Sequence, residues 1–240
     1  MQRKLAIGFP WDSPFVFTSF VDGVLNLEVP QDTRVRWFRG KGWCSSRRHI
    51  HICEQAMDWG ADLICIVGPD QSFPEDLLVR LVGHIDDGCD AISALVPFRG
   101  KGAGMAPFQR MAWRKQGEKF VPIDPDAAAL QEIDVIGTGC LMFKSEHLEN
   151  LPKPWFTEMI DAVTFQRTAN QDSRFVWSLR TIAGVHLFVD TTIAIKHAHV
   201  FQIDETFPDR FADWADGSGE PEICNYKGVR RCSRKPPSRF

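Results

Sequence analysis

The chain of 240 residues has no apolar run approaching the roughly 20 residues a bilayer-spanning helix needs. Its first residues, MQRKLAIGFPWDSPF, hold too short an apolar part, interrupted at Pro10 and Asp12, to read as a signal peptide. No Cys-x-x-Cys pair occurs among the seven cysteines (Cys44, Cys53, Cys65, Cys89, Cys140, Cys224 and Cys232), and their number is odd. Cys65 and Cys140 sit inside apolar runs, where a thiol behaves as a small hydrophobe. Cysteine usage therefore argues for a reducing compartment, the cytoplasm, and against a structural zinc site. There is no internal repeat, and the net charge of −3 gives no global attraction to nucleic acid. What remains is ordinary: 44% apolar and 25% charged residues, enough for one sizeable core and a small appendage.

The informative stretch is Ala61 to Asp76, ADLICIVGPDQSFPED. Leu63 to Val67 is an unbroken apolar run of strand length, the pattern of a strand buried on both faces. Gly68-Pro69 stops it. Pro74 suits a first helical residue, with Glu75 and Asp76 in the first turn, and Leu77, Leu78, Leu81, Val82 and Ile85 follow at helical spacing. Asp70 is thereby placed on a short loop at the C-terminal end of a central strand, the edge where open α/β sheets bind ligands. An acid there is either a turn residue or a metal ligand holding a phosphorylated substrate.

Along the rest of the chain, Lys4 to Phe9 reads as a first strand, ended by Pro10. Ser13-Pro14 opens a helix through about Leu25, with Phe17, Phe20, Val21 and Val24 on one face. Thr33 to Phe38 reads as a strand, and Arg39 to Trp43 as a mobile basic loop. Ser45 or Ser46 caps a helix to Trp59, stopped by Gly60. Arg47, Arg48, His49 and His51 near its start form either a solvated face or an anion site. Asp90 to Val96 is a strand, followed by the glycine-rich, basic Arg99 to Gly104. Met111 to Arg114 and Lys119 to Ile123 form a hairpin. Ile133 to Phe143 reads as a strand broken at Gly137-Thr138-Gly139, where glycines suggest close backbone approach. Lys144 to Asn150 is a short helix, which Pro152 and Pro154 forbid to continue. Trp155 and Phe156 beyond it either plug the core or form an apolar platform suited to a sugar ring. Asn170 caps a helix presenting Phe175, Val176, Leu179 and Ile182, ended at Gly184. Val185 to Val189 and Thr192 to His197 read as two strands. From Pro221 the composition changes: six basic residues and no acid after Glu222 mark a basic tail.

Three segments in this order resemble the glycosyltransferases of GT-A fold, particularly the small family-2-like enzymes of phages and bacteria. They are ADLICIVGPDQSFPEDLLVRL, IGTGCLMFKSEHLENLPKPWF and QDSRFVWSLRTIAGVHLFVDTTIAIKH, and the resemblance runs from about Leu5 to His199. It implies an α/β fold with a mixed, mostly parallel sheet flanked by helices, spanning 1–215 and followed by a tail over 216–240. It also implies a metal-dependent, hexosyltransferase-like transfer of a sugar from a nucleotide-diphosphate donor, UDP- or GDP-linked, to an acceptor hydroxyl on a glycan, lipid or small molecule. Asp70 matches the last acid of the Asp-x-Asp motif and His197 the metal-binding histidine, together holding Mn²⁺ or Mg²⁺. Asp172 matches the acid that takes the acceptor's proton in inverting members, as an exposed carboxylate. Phe9, Pro10, Arg48, Gly68 and Pro69 fall at donor-binding positions; Gly139, Trp155 and Phe156 fall at acceptor-binding ones.

The chain departs from the pattern at Gly68, where the motif has its first acid, at Gln171, where a Glu precedes the base, and at His49, where the family has an Asn after the Arg. Read by residue type alone, Asp172 complements a helix dipole and a strand-end histidine such as His197 is a structural group. Gly68 and Gln171 motivate a rival: a catalytically weak module that binds a nucleotide sugar or glycan. A nucleotidyltransferase would need a glycine-rich, basic phosphate loop after the first strand, and IGFPWDSP is not one. The basic tail suits an anionic surface, such as a membrane to which the protein attaches peripherally.

Overall fold

The computed structural model describes residues 2–11, 15–97, 112–164 and 166–198. The tail over 216–240 and its boundary, the Arg99 to Gly104 segment, Ser13-Pro14, Met111 and His199 lie outside them. In chain order the strands are β1 (Arg3–Phe9), β2 (Thr33–Arg39), β3 (Leu63–Val67), β4 (Gln71–Ser72), β5 (Ala91–Leu95), β6 (Ala112–Gln116), β7 (Lys119–Pro122), β8 (Leu130–Ile133), β9 (Val135–Ile136), β10 (Cys140–Lys144), β11 (Met159–Ile160), β12 (Arg167–Ala169), β13 (Leu187–Ala194) and β14 (Lys196–His197). The helices are α1 (Thr18–Leu25), α2 (Ser45–Asp58), α3 (Leu77–Asp86) and α4 (Gln171–Thr181).

Seven strands make the main sheet, in the order β2-β1-β3-β10-β5-β13-β8. β2, β1, β3, β5 and β13 run one way; β10 and β8 run against them. All five residues of β3 are buried, and the pleat divides them. Ile64 and Ile66 join Cys53 and Ala56 of α2 and Phe175, Val176 and Leu179 of α4 on one face. Leu63, Cys65 and Val67 join Phe20 of α1 and Leu77, Leu78, Leu81, Val82 and Ile85 of α3 on the other. Full burial of such a side chain contributes about 1.5–3 kcal/mol, so the central strand and its helix hold much of the fold together. Burial also pushes the Cys140 thiol up to about 12 and raises Cys53 and Cys65, so these thiols stay protonated and unreactive.

Helix ends depart from the sequence reading in three places. α1 starts at Thr18, because Phe17 is extended (φ −70, ψ 135). Cys44, not a serine, is the N-cap of α2, with no side-chain cap bond. α3 starts at Leu77, and the Pro74 carbonyl accepts from its N–H at 3.2 Å. The expected Asn170 cap is present: its side chain accepts from Ser173 N at 2.8 Å. Gly60 and Gly184, at φ +68 and +70, take the left-handed conformation that stops α2 and α4. Ile182 is 56% exposed and leaves the buried face of α4.

The run Ile133 to Phe143 divides further than its glycines suggest. β8 edges the main sheet, β9 pairs with the β6–β7 hairpin, and β10 lies between β3 and β5. Lys144 to Asn150 contains only a 3-10 turn, Ser145–Leu148. The two expected strands near 190 are largely one, β13, whose register against β5 shifts between Asp190 and Ala194. Asp190 explains the shift. Its carboxylate accepts from Thr192 N (2.8 Å) and Thr192 Oγ1 (2.6 Å), from Arg80 (2.8 Å), and faces His84 Nε2 (2.9 Å) on α3. Burial opposes its ionisation, but bonds from Thr192 and His84 and the nearby Arg80 prevail and hold the carboxyl below its ordinary value. A depressed folded-state pKa stabilises the fold above the carboxylate's unfolded range, and that contribution is lost as pH falls through the folded value. Asp190→Ala, which strands Arg80 and His84, is expected to cost about 3 kcal/mol at neutral pH, and less in acid. Urea denaturation at the two pH values checks both; equal losses would remove the ionic part of this account.

Candidate donor-binding and catalytic cleft

The C-terminal edge of the parallel strands opens into a cleft of about 420 Å³. Pro10 reaches it from the end of β1, Gly68, Pro69 and Asp70 from β3, and Val96 and Pro97 from β5. The Gly137-Thr138-Gly139 turn before β10 forms another wall. Ser45, Arg48 and His49 enter on the first turns of α2, Asp172 on the first turn of α4, and His197 on β14. Asp70, His197, Asp172, Arg48, Gly139, Pro10, Gly68 and Pro69 thus share one cavity.

Asp70 and His197 meet because β4 and β14 pair antiparallel, His197 opposite Gln71, and Ala198 N donates to the Asp70 carbonyl at 2.7 Å. His197 Nε2 stands 3.4 Å from Asp70 Oδ2. Its other nitrogen, Nδ1, is 2.9 Å from the Pro97 carbonyl oxygen. A carbonyl only accepts, so Nδ1 donates to it, and Nε2 is left facing the carboxylate. An imidazole nitrogen and a carboxylate oxygen side by side are both groups that ligate divalent cations. No group of three or more His, Cys, Asp or Glu side chains converges as a metal cage among the described residues.

Asp172 is less exposed than its sequence position suggests. Its Oδ1 is buried without a hydrogen-bond partner and lies 3.9 Å from His49 Nε2. His49 is 4% exposed. Its Nδ1 donates to the Ser45 carbonyl at 2.8 Å, its Nε2 faces Thr138 Oγ1 at 3.2 Å, and its ring stacks on Phe156 at 4.8 Å. Helical spacing held the clue: His49 shares the buried stripe of Ile52, Cys53 and Ala56, so it belongs to the packed face of α2 rather than the solvated one.

Three acceptor- or donor-side expectations are corrected in detail. Trp155 and Phe156 are 6% and 1% exposed and do not line the cleft. Trp155 donates to the Leu148 carbonyl at 3.1 Å and Phe156 stacks on Phe175 at 4.0 Å, so both plug the core and leave no platform for a sugar. Phe9 is buried against Phe20 and Trp37, and only its backbone faces the loops. The Arg39 to Trp43 loop is tied down by Gly40 N to the Phe9 carbonyl (2.8 Å), Lys41 N to His51 Nδ1 (3.0 Å) and Arg48 Nε to the Gly42 carbonyl (3.2 Å). Gln71, which the sequence reading passed over, is 2% exposed and forms part of the cleft floor.

No family model and no curated protein matches this sequence. Among solved structures, A197 from STIV superposes with a TM-score of 0.55 at 15% identity, over 85% of this chain and 87% of that one. GalNAc-T7, in a structure with UDP, GalNAc and Mn²⁺, superposes with a TM-score of 0.52 at 12% identity, over 82% of this chain and 44% of that one. The chain thus spans less than half of the GalNAc-T7 chain. Sheet order, helices on both faces and these likenesses define the fold as GT-A, that of nucleotide-sugar glycosyltransferases.

Proposed function

We propose that the protein is a metal-dependent glycosyltransferase that takes a sugar from a UDP- or GDP-linked donor, and that it belongs with the small family-2-like enzymes. The observation that carries this reading is the Asp70–His197 pair, which shares a cleft with Asp172. Asp70 and His197 would hold Mn²⁺ or Mg²⁺, the imidazole favouring Mn²⁺. Such an ion stabilises the negative charge that builds on a departing diphosphate. Arg48, with Pro10, Gly68 and Pro69, borders the donor. Asp172 accepts the proton of the acceptor hydroxyl as that oxygen attacks the anomeric carbon; Gly139 lies on the acceptor side. Fold likeness alone does not set an activity; the Mn²⁺ and UDP in GalNAc-T7 support the donor class. The test is hydrolysis or transfer with a panel of UDP- and GDP-hexoses, with Mn²⁺ and with EDTA. Turnover that survives EDTA would remove the metal from this reading.

Gly68 favours a second reading, a nucleotide-sugar-binding module of little activity. Calorimetry separates the two: donor binding that needs no metal and is followed by no turnover supports the module. Residues 216–240 form a basic tail beyond the catalytic domain of 1–215, and we assign it contact with an anionic surface. At about 1 kcal/mol per basic residue, its charges suffice for reversible attachment to vesicles rich in anionic lipid. Deleting Cys224 to Phe240 is expected to abolish co-sedimentation with them; unchanged sedimentation would refute the assignment. Among the described residues, no helix is long and apolar enough to cross a membrane.

A further inference from the structure

We propose that the side-chain amide of Gln71 reads a hydroxyl of the bound donor; this rests on the nucleotide-sugar reading of the cleft. Gln71 is fixed through its backbone. It sits opposite His197 in the β4–β14 ladder, and its N–H donates to the Gly68 carbonyl at 3.2 Å. Its side chain is 98% buried on the cleft floor by its 2% exposure, yet Oε1 has no hydrogen-bond donor. Buried acceptors left unpaired are costly and rare.

The backbone around the amide is kept bare for it. A Cβ at position 139 would lie 2.3 Å from Gln71 Nε2, and a Cβ at position 68 would lie 2.9 Å from both Asp70 Oδ1 and Gln71 Nε2 and 3.0 Å from Gln71 Cδ. Any side chain at either glycine forces the amide out of place. The close approach that the Gly137-Thr138-Gly139 pattern suggested is therefore to Gln71. The space that a side chain at 68 would take is filled by an amide with an open acceptor.

The chemistry of the ligand narrows what fills that acceptor. A diphosphate offers only oxygens that accept. Gln71 adjoins Asp70, which would hold the cation that neutralises the diphosphate, and the groups bonded on either side of that diphosphate in a nucleotide sugar are ribose and hexose. Both are rich in O–H donors. Oε1 accepts from one of them, which gives the amide oxygen the donor it lacks.

The experiment is calorimetry with Mn²⁺ and four probes: UDP, 2′-deoxy-UDP, 3′-deoxy-UDP and UDP-glucose. The proteins are wild type, Gln71→Met, which threads the same narrow space without an acceptor, and Gln71→Glu, which keeps one. If ribose is read, Gln71→Met weakens UDP about tenfold and Gln71→Glu weakens it far less. One deoxy ligand then loses about as much on wild type and nothing further on Gln71→Met. If the hexose is read, UDP binds all three proteins alike and only UDP-glucose is weakened by Gln71→Met. Equal binding of every ligand to wild type and Gln71→Met means that water alone serves the amide and overturns the proposal, while the nucleotide reading stands. A loss on Gln71→Met that neither deoxy ligand nor the hexose reproduces also overturns it. Failure of wild type to bind any probe, with GDP and GDP-mannose included, overturns the nucleotide-sugar reading and this inference together. Thermal midpoints of the variants check folding, and the deoxy probes test wild type whether or not a variant folds.

Discussion

Asp70→Ala is expected to abolish Mn²⁺-dependent binding of a nucleotide diphosphate, with affinity falling by at least about 100-fold, or about 2.7 kcal/mol. The size follows from Asp70 being the carboxylate of the described pair. Asp70 Oδ2 and His197 Nε2 are 3.4 Å apart, so its loss would leave an ion at that pair with the imidazole alone among the described residues. The carboxylate is also the only one of the two that carries negative charge, which the compact divalent ion requires most. His197→Ala should act in the same direction but less, and should weaken Mn²⁺ more than Mg²⁺, because the harder ion relies on imidazole less. Isothermal titration with each metal reads these differences. Undiminished, EDTA-sensitive binding by Asp70→Ala would place the ion elsewhere.

Asp172→Asn is expected to act on turnover instead. Replacing a general base by its amide typically removes 10²–10⁴-fold in rate, and here donor affinity should stay within about twofold. The split is the informative part. Asp172 lies on α4, whose Asn170 cap fixes the first turn, so the amide keeps its place. Its buried Oδ1 has no hydrogen-bond partner and lies 3.9 Å from His49 Nε2, which already faces Thr138 Oγ1 at 3.2 Å. Kinetics under saturating donor measure the effect; an unchanged kcat would move the base to another residue.

The scaffold was legible because it is written in local patterns. The five-residue apolar run Leu63–Val67, the helical stripe of α3 and the Asn170 cap each announce themselves in a short window. Asp70, Asp172 and His197 were singled out by a resemblance in three segments, and one cavity is lined by all three. What escaped was decided by tertiary partners. Trp155 and Phe156 look alike as platform or plug until Phe175, His49 and the Leu148 carbonyl are beside them. The shift in β13 depends on Arg80 and His84 from a distant helix, which no window around Asp190 contains. Gln71 carries no motif at all. Its importance lies in two glycines, one near and one far along the chain, that only the folded backbone brings against it.

The ladder between β4 and β14 has a consequence for biogenesis. It joins Gln71 to His197, and four of the main sheet's seven strands (β5, β8, β10 and β13) lie between them in sequence. Closing so long a loop is slow and entropically costly until other contacts have formed. A nascent chain halted before Lys196 would own all seven strands of the main sheet yet lack the ladder that sets His197 beside Asp70, so that pairing forms only after the sheet's own strands have been made.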